Sequence, residues 1–350
     1  MHARLRPGLT LALVAALAGL LALSAPARPP EGQGLYAVDA ATGATQYLGA
    51  YIHPAVDAAG GWLYADNSRG SIVRWPLDQI GTPRRLFAGP ALGLSGRLWV
   101  PVPAPAGGRV AIAANTYQGD EYGGYQRTSL YILDAAGRRE RGPIPLFGAQ
   151  EYINSRLSFD WSPDGTALAL SVTESAQRPE GLYIYNVVSN EWLALSGPVG
   201  VPRFRPDGQA LAVQHATGVN LYAAPRWTAP RALSLPGQEG YGPFAWVDEE
   251  RLIATTGQVD EQSWVVYTVD GTRAEDFAAR PANWWSHGWL ERSPAGWAWF
   301  ASLADGREGL FTTRELVLPD RLVLPLDDLS LAGGVAWDPS GGRLFVGLGE

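Results

Sequence analysis

Along most of this chain, short apolar runs alternate with polar residues and are cut by Gly, Pro, Asp and Ser. A period of two predicts half-buried strands rather than helices. The clearest instance is Trp161-Ser-Pro-Asp-Gly-Thr-Ala-Leu168, flanked by Ser158-Phe-Asp and Ala-Leu-Ser171. Pro163 presets φ near −65°, Asp164 can bond back to its own backbone, and Gly165 can take the positive φ of a bulged turn. The pattern therefore reads as strand, tight turn, strand.

The same frame returns as Phe204-Arg-Pro-Asp-Gly-Gln-Ala-Leu211 and Trp337-Asp-Pro-Ser-Gly-Gly-Arg-Leu344, and earlier as Val56-Asp-Ala-Ala-Gly-Gly-Trp-Leu63. Looser copies begin at Val102, Trp246 and Trp289. The spacing between successive copies is 46, 59, 43, 42, 43 and 48 residues. A period of roughly 40–50 residues with four strands per unit predicts a β-propeller. The Trp/Phe-x-Pro-Asp-Gly turn followed by an Ala/Leu strand resembles the TolB-like, WD-repeat-like propeller repeat. The resemblance covers nearly everything after the leader. It implies a fold and, more weakly, an interaction platform.

Two strands at 35–39 and 44–49 precede the first copy, and only two strands follow Trp337. Pairing these leftovers makes a seventh sheet and closes the ring, which removes exposed edges. The expected architecture is thus all-β: a seven-bladed propeller over 35–350 closed by its N-terminal and C-terminal strands, with blades at 51–89, 90–149, 150–197, 198–239, 240–283 and 284–327. No amphipathic helix is expected after the leader.

Residues 1–27 read as a signal peptide. Arg4 and Arg6 make a positive start, 9–23 is apolar, and Ala25-Pro-Ala27 is a cleavage pattern. The alternative is an uncut N-terminal anchor, although the apolar run is short for a bilayer span. Residues 28–34 form a Pro-rich tether. The expected location is extracytoplasmic: secreted, periplasmic or at the cell surface, in a bacterium.

Composition narrows the chemistry. The net charge is −7, and every basic residue is Arg. That balance argues against a nucleic-acid surface, which needs clustered cations, and the lack of Lys excludes a Schiff base. With no Cys, disulfides, thiol catalysis and Cys-ligated zinc are excluded as well. The sequence carries no Gly-x-Ser-x-Gly elbow, phosphate loop, His-Glu-x-x-His or dinucleotide fingerprint. No cofactor and no metal are expected, and the protein is expected to be a monomer.

Loops between blades share one face with loops joining second and third strands, a property the resemblance implies. Loops on a rigid scaffold carry function, so that face holds the candidates. The insertion Tyr117-Gln-Gly-Asp-Glu-Tyr-Gly-Gly-Tyr-Gln-Arg127 offers Tyr122, Tyr125 and Arg127; Tyr supplies contact surface at low entropic cost. The segment after Gln150 offers Glu151, Tyr152, Asn154 and Arg156. The segment 281–287 offers Asn283, Trp285 and His287, with adjacent Trp residues that can stack a sugar or grip a peptide. His53 and His287 lie in different inter-blade loops, where a metal or general base would need a carboxylate nearby. Asp248-Glu249-Glu250 occupies a turn of the repeat and reads as solvated.

Two functions stay open. One is a non-enzymatic propeller binding a protein or envelope component through its loop-rich face. The other is a hydrolase or lyase at the channel mouth, using Glu151, Arg156 and His287.

Overall fold

The computed structural model describes residues 32–67, 70–88, 99–118, 125–146, 159–172, 178–215, 218–227, 229–235, 244–256, 263–276, 279–281, 291–293, 296–303, 306–313, 321–326 and 332–349. Among them every regular element is a strand, and no helix is long and apolar enough to cross a membrane.

The strands form seven antiparallel sheets. In chain order the innermost strands of the first five are Ile52–Asp57, Trp99–Pro103, Phe159–Trp161, Val201–Phe204 and Phe244–Trp246. Each is followed by three more strands in simple up-and-down order. In the last sheet Ala332–Trp337 pairs Arg343–Leu348, which pairs Gly34–Asp39, which pairs Thr45–Gly49. The first two strands of the chain and the last two therefore share one sheet, in register from Gly34 opposite Leu348 to Asp39 opposite Arg343. We number the sheets as blades 1 to 6 in chain order, with this composite sheet as blade 7.

The apolar core is divided into seven clusters, one per blade boundary. Between blades 1 and 2 lie Tyr64, Ile72, Val110 and Ile112. Trp161, Phe159 and Leu168 pack on Ala111 and Leu130 between blades 2 and 3, and Phe204 and Leu211 on Leu182 and Ala169 between blades 3 and 4. The next two boundaries hold Trp246, Leu252 and Val219 and then Trp264, Trp297 and Trp299. Phe300, Leu344 and Trp337 fill the boundary of blades 6 and 7. Leu35, Phe345, Leu63 and Trp75 fill the boundary of blades 7 and 1. A chain of clusters that returns to its start is a ring of seven. Burial of one such large side chain stabilises by about 1.5–3 kcal/mol, so the interfaces are the main source of cohesion.

The turns follow the repeat. Gly165, Gly208 and Gly341 all take positive φ, at 66°, 72° and 73°, and the Asp164 carboxylate accepts from the Thr166 amide at 3.0 Å.

Strand register corrects three details of the sequence reading. Val102 faces Ala111, and it is Pro103 that opposes Val110 as Trp161 opposes Leu168. In blade 6 the residue opposite Trp297 is Arg292, whose guanidinium lies 5.4 Å from the ring centroid; Trp289 lies outside the described residues. Blade 6 also begins earlier than residue 284, because Ala279–Pro281 pairs its second strand.

Candidate functional site: the channel edge and the loop-bearing face

Antiparallel order gives each blade two ends. First-to-second and third-to-fourth strand turns share one face, and the remaining connections share the other. On the first face the turns are short and use their own carboxylates. Asp207 binds Arg205 at 2.7 Å, and Asp338 accepts from the Ser340 amide at 2.9 Å. Asp248, in the acidic run, accepts from the Glu250 and Arg251 amides and pairs with Arg251 Nε at 2.7 Å. These hydrogen bonds hold the carboxyls of Asp207, Asp338 and Asp248 below the usual range, against desolvation.

The opposite face is built differently. In blade 2 the second and third strands, Arg109–Gln118 and Tyr125–Asp134, stay paired from Arg109↔Asp134 to Gln118↔Tyr125, ten pairs. Their counterparts in blade 3 make six, Ala167↔Asn186 to Val172↔Gly181. Four extra pairs carry this hairpin about 13 Å further than that of blade 3, at about 3.3 Å per residue. Five of the eleven residues of the insertion expected as a loop, 117–118 and 125–127, are thus paired strand, and 119–124 lie outside the described residues. Tyr125 and Arg127 stand on it, opposite Gln118 and Thr116; their side chains, and all of Tyr122, lie outside the described residues.

Blade 6 carries the second irregularity. Its innermost position is filled by two pieces, Ala279–Pro281 and Glu291–Ser293, both paired with Gly296–Leu303. Pro281 opposes Ala301 and Glu291 opposes Ala298, so only Trp299 and Phe300 separate them on the partner. Asn283, Trp285 and His287 fall between these two pieces in the sequence. Those three residues lie outside the described residues, as do Glu151, Tyr152, Asn154 and Arg156.

One group at the channel edge was not anticipated from the sequence. The residue before the repeat anchor is Ala55, Val102, Asp160, Arg203, Ala245, Glu291 or Ala336 around the ring. Four are apolar and three are charged. Asp160 Oδ2 accepts from the Phe204 amide of blade 4 at 2.7 Å. Arg203 donates to the carbonyls of Pro202 at 2.6 Å and Phe159 at 3.3 Å. Burial pushes the Asp160 carboxyl up to about 6, while Arg203 and the two backbone amides pull it down. Burial lowers the Arg203 pKa, opposed by the fields of Asp160 and Glu291. The signal was present in the repeat: one position, apolar in most blades, turns charged in blades 3, 4 and 6.

His53 is not poised for a ligand. Its Nδ1 lies 2.8 Å from Asp66 Oδ1, and both side chains are buried. His53 holds φ at 50°, at a register irregularity of the innermost strand of blade 1. Gly347 of blade 7 packs against it; a Cβ there would sit 3.2 Å from the His53 amide nitrogen. Among the described residues no group of three His, Cys, Asp or Glu gathers as a metal site.

These elements define a seven-bladed β-propeller with one plain face and one elaborated face. No family model matches the chain, and no curated protein does. Among solved structures it is similar to the structure of putative TolB from Agrobacterium tumefaciens: 13% identity, 91% of this chain and 100% of that one covered, TM-score 0.49. A likeness of that degree concerns the fold alone.

Proposed function

We propose that this protein is an exported, non-enzymatic propeller that binds a protein or a cell-envelope component through its elaborated face. The observation that carries the reading is the asymmetry between faces. One face engages its carboxylates in its own turns. The other bears a hairpin four pairs longer than its counterpart in blade 3 and an interrupted strand at the channel edge. Irregular additions on a rigid scaffold are where recognition residues sit. The leader, with Arg4, Arg6 and an apolar run ending at Ala25-Pro-Ala27, supports export to an extracytoplasmic site.

The test is site-specific photo-crosslinking in the producing cell. A photoreactive residue in place of Tyr125 or Trp285 is expected to capture a discrete partner, and one in place of Ala41, exposed on the plain face in the outer turn of blade 7, is expected to capture none. Capture from Ala41 alone, or from no position, overturns the reading.

A second reading, a hydrolase or lyase, draws on the Asp160 carboxyl, raised to about 6 beside Arg203. Perturbed carboxyls cluster at catalytic sites. Against it, Asp160 already accepts a backbone amide as a link between blades. Turnover of a glycoside or ester panel that Asp160→Asn abolishes would favour the enzyme.

A further inference from the structure

The outer strands of the seven blades are sheet edges, and six of them carry features that blunt edge pairing. Five begin with arginine: Arg84–Ala88, Arg139–Pro145, Arg231–Leu233, Arg273–Asp276 and Arg321–Pro325. Four of these five join their neighbour through a register shift, and the remaining one, Arg231–Leu233, has only three residues. Thr45–Gly49 of blade 7 also pairs through a shift. Charge, irregularity and brevity are the means by which edges are kept from pairing.

Blade 3 has no arginine, no register shift and no shortened strand at its edge. Its outer strand Glu191–Leu195 runs five residues in unbroken register, from Leu182↔Leu195 to Asn186↔Glu191. It opens with an acid, and its free side carries no strand among the described residues. Leu193 is 42% exposed and Val188, in the preceding turn, 60%; Tyr47 is the one other large apolar residue so exposed among the described residues. The strand is also held stiff. Trp192 stacks on Tyr185 at 4.3 Å, meets Tyr183 edge-on at 5.8 Å, and is capped by the Arg178 guanidinium at 4.0 Å.

We propose that this edge is a docking site for an extended segment of another protein. The segment adds as a further strand, antiparallel to Glu191–Leu195, with an apolar side chain beside Leu193 and a basic residue opposite Glu191. Strand addition supplies main-chain hydrogen bonds from the edge and specificity from alternate side chains. Charge helps select the site: a basic residue is attracted by Glu191 and repelled by the arginines that open most of the other edges, while the blade 5 edge, where Glu275 and Asp276 follow Arg273, is set apart by its register shift. The same charge both favours this edge and rejects most of the others, as specificity requires. The aromatic stack preorganises the strand, which lowers the ordering cost of binding.

The experiment uses the mature protein and a short synthetic peptide of alternating Val and Thr that ends in Arg. Binding is measured by calorimetry for wild type, Glu191→Arg and Leu193→Lys, with circular dichroism confirming that each variant folds. The expected result is saturable binding that either change weakens by about tenfold. For Glu191→Arg, ending the peptide in Glu instead is expected to restore it. Equal binding by all three proteins, or none by wild type, overturns the proposal. So does a wild-type dimer in sedimentation that Leu193→Lys converts to monomer, because the occupant would then be a second copy of this chain.

Discussion

Trp161 donates its indole Nε1 proton to the Val102 carbonyl oxygen at 3.0 Å, across the boundary between blades 2 and 3. Trp246 repeats the bond to the Arg203 carbonyl, also at 3.0 Å, across the boundary between blades 4 and 5. Trp337 holds the same register position in blade 7, yet its Nε1 is buried without a hydrogen-bond partner among the described residues. Its neighbour is blade 6, the blade whose innermost strand is interrupted.

Replacing each of these tryptophans by phenylalanine separates packing from hydrogen bonding. All three changes shorten a buried ring. Trp161→Phe and Trp246→Phe also leave a carbonyl without its donor, whereas Trp337→Phe removes an unpaired donor. The first two are expected to cost about 1 kcal/mol more than the third, the net worth of a buried hydrogen bond. Denaturant unfolding measures the difference; equal losses would show that the bonds contribute nothing net.

Asp160 gives a pH-dependent effect. Its folded pKa, about 6, lies above the ordinary carboxyl value of 3.8. The folded protein therefore binds the proton more tightly than the unfolded chain. The stabilisation this confers is present at low pH and is lost as pH rises through 6. Asn in its place keeps an oxygen for the Phe204 amide without the buried charge. Asp160→Asn is expected to be more stable than wild type by on the order of 2 kcal/mol at pH 7.5, with the gap closing toward pH 4. A constant difference across that range, in unfolding curves at several pH values, would contradict the assignment.

His53 and Asp66 are expected to behave as a coupled pair. Both are buried, and Asp66 Oδ2 has no hydrogen-bond partner among the described residues. His53→Ala strands the carboxylate and is expected to cost roughly 3 kcal/mol. Adding Asp66→Ala removes the stranded group, so the double variant should lose less than the sum of the singles by about 2 kcal/mol. Strict additivity in a double-mutant cycle would show that the two groups do not depend on each other.

The repeat was legible wherever its turn kept a fixed length. At Trp161, Phe204 and Trp337 the anchor named from the sequence is the residue that opposes the repeated Leu. Where turn length changed, Trp246 still kept its place opposite Leu252, but in the other two copies an apolar residue near the right place drew the frame off register: Val102 for Pro103, and Trp289 for Arg292. Periodicity reports which residues prefer burial, and only pairing reports which residues face each other. The charged group at the channel edge was hidden for a related reason. Asp160 and the Phe204 amide it holds are 44 residues apart, and only the ring brings them together. The candidate residues themselves, from Tyr122 to His287, fall on the segments where the repeat gives no constraint. Their strand ends are placed, at the hairpin of blade 2 and the inner edge of blade 6.

That the seventh blade is a composite sheet depends on Gly34–Asp39 lying beside Arg343–Leu348. The chain has no cysteine of its own, so a pair can be introduced cleanly. Val38 opposes Leu344, and both are fully buried. In a Val38→Cys, Leu344→Cys variant, a spontaneous disulfide is expected under air, with an unfolding free energy about 4 kcal/mol above that of the same variant reduced, given the length of the closed loop. Two thiols that stay free and titratable in the folded protein would contradict it.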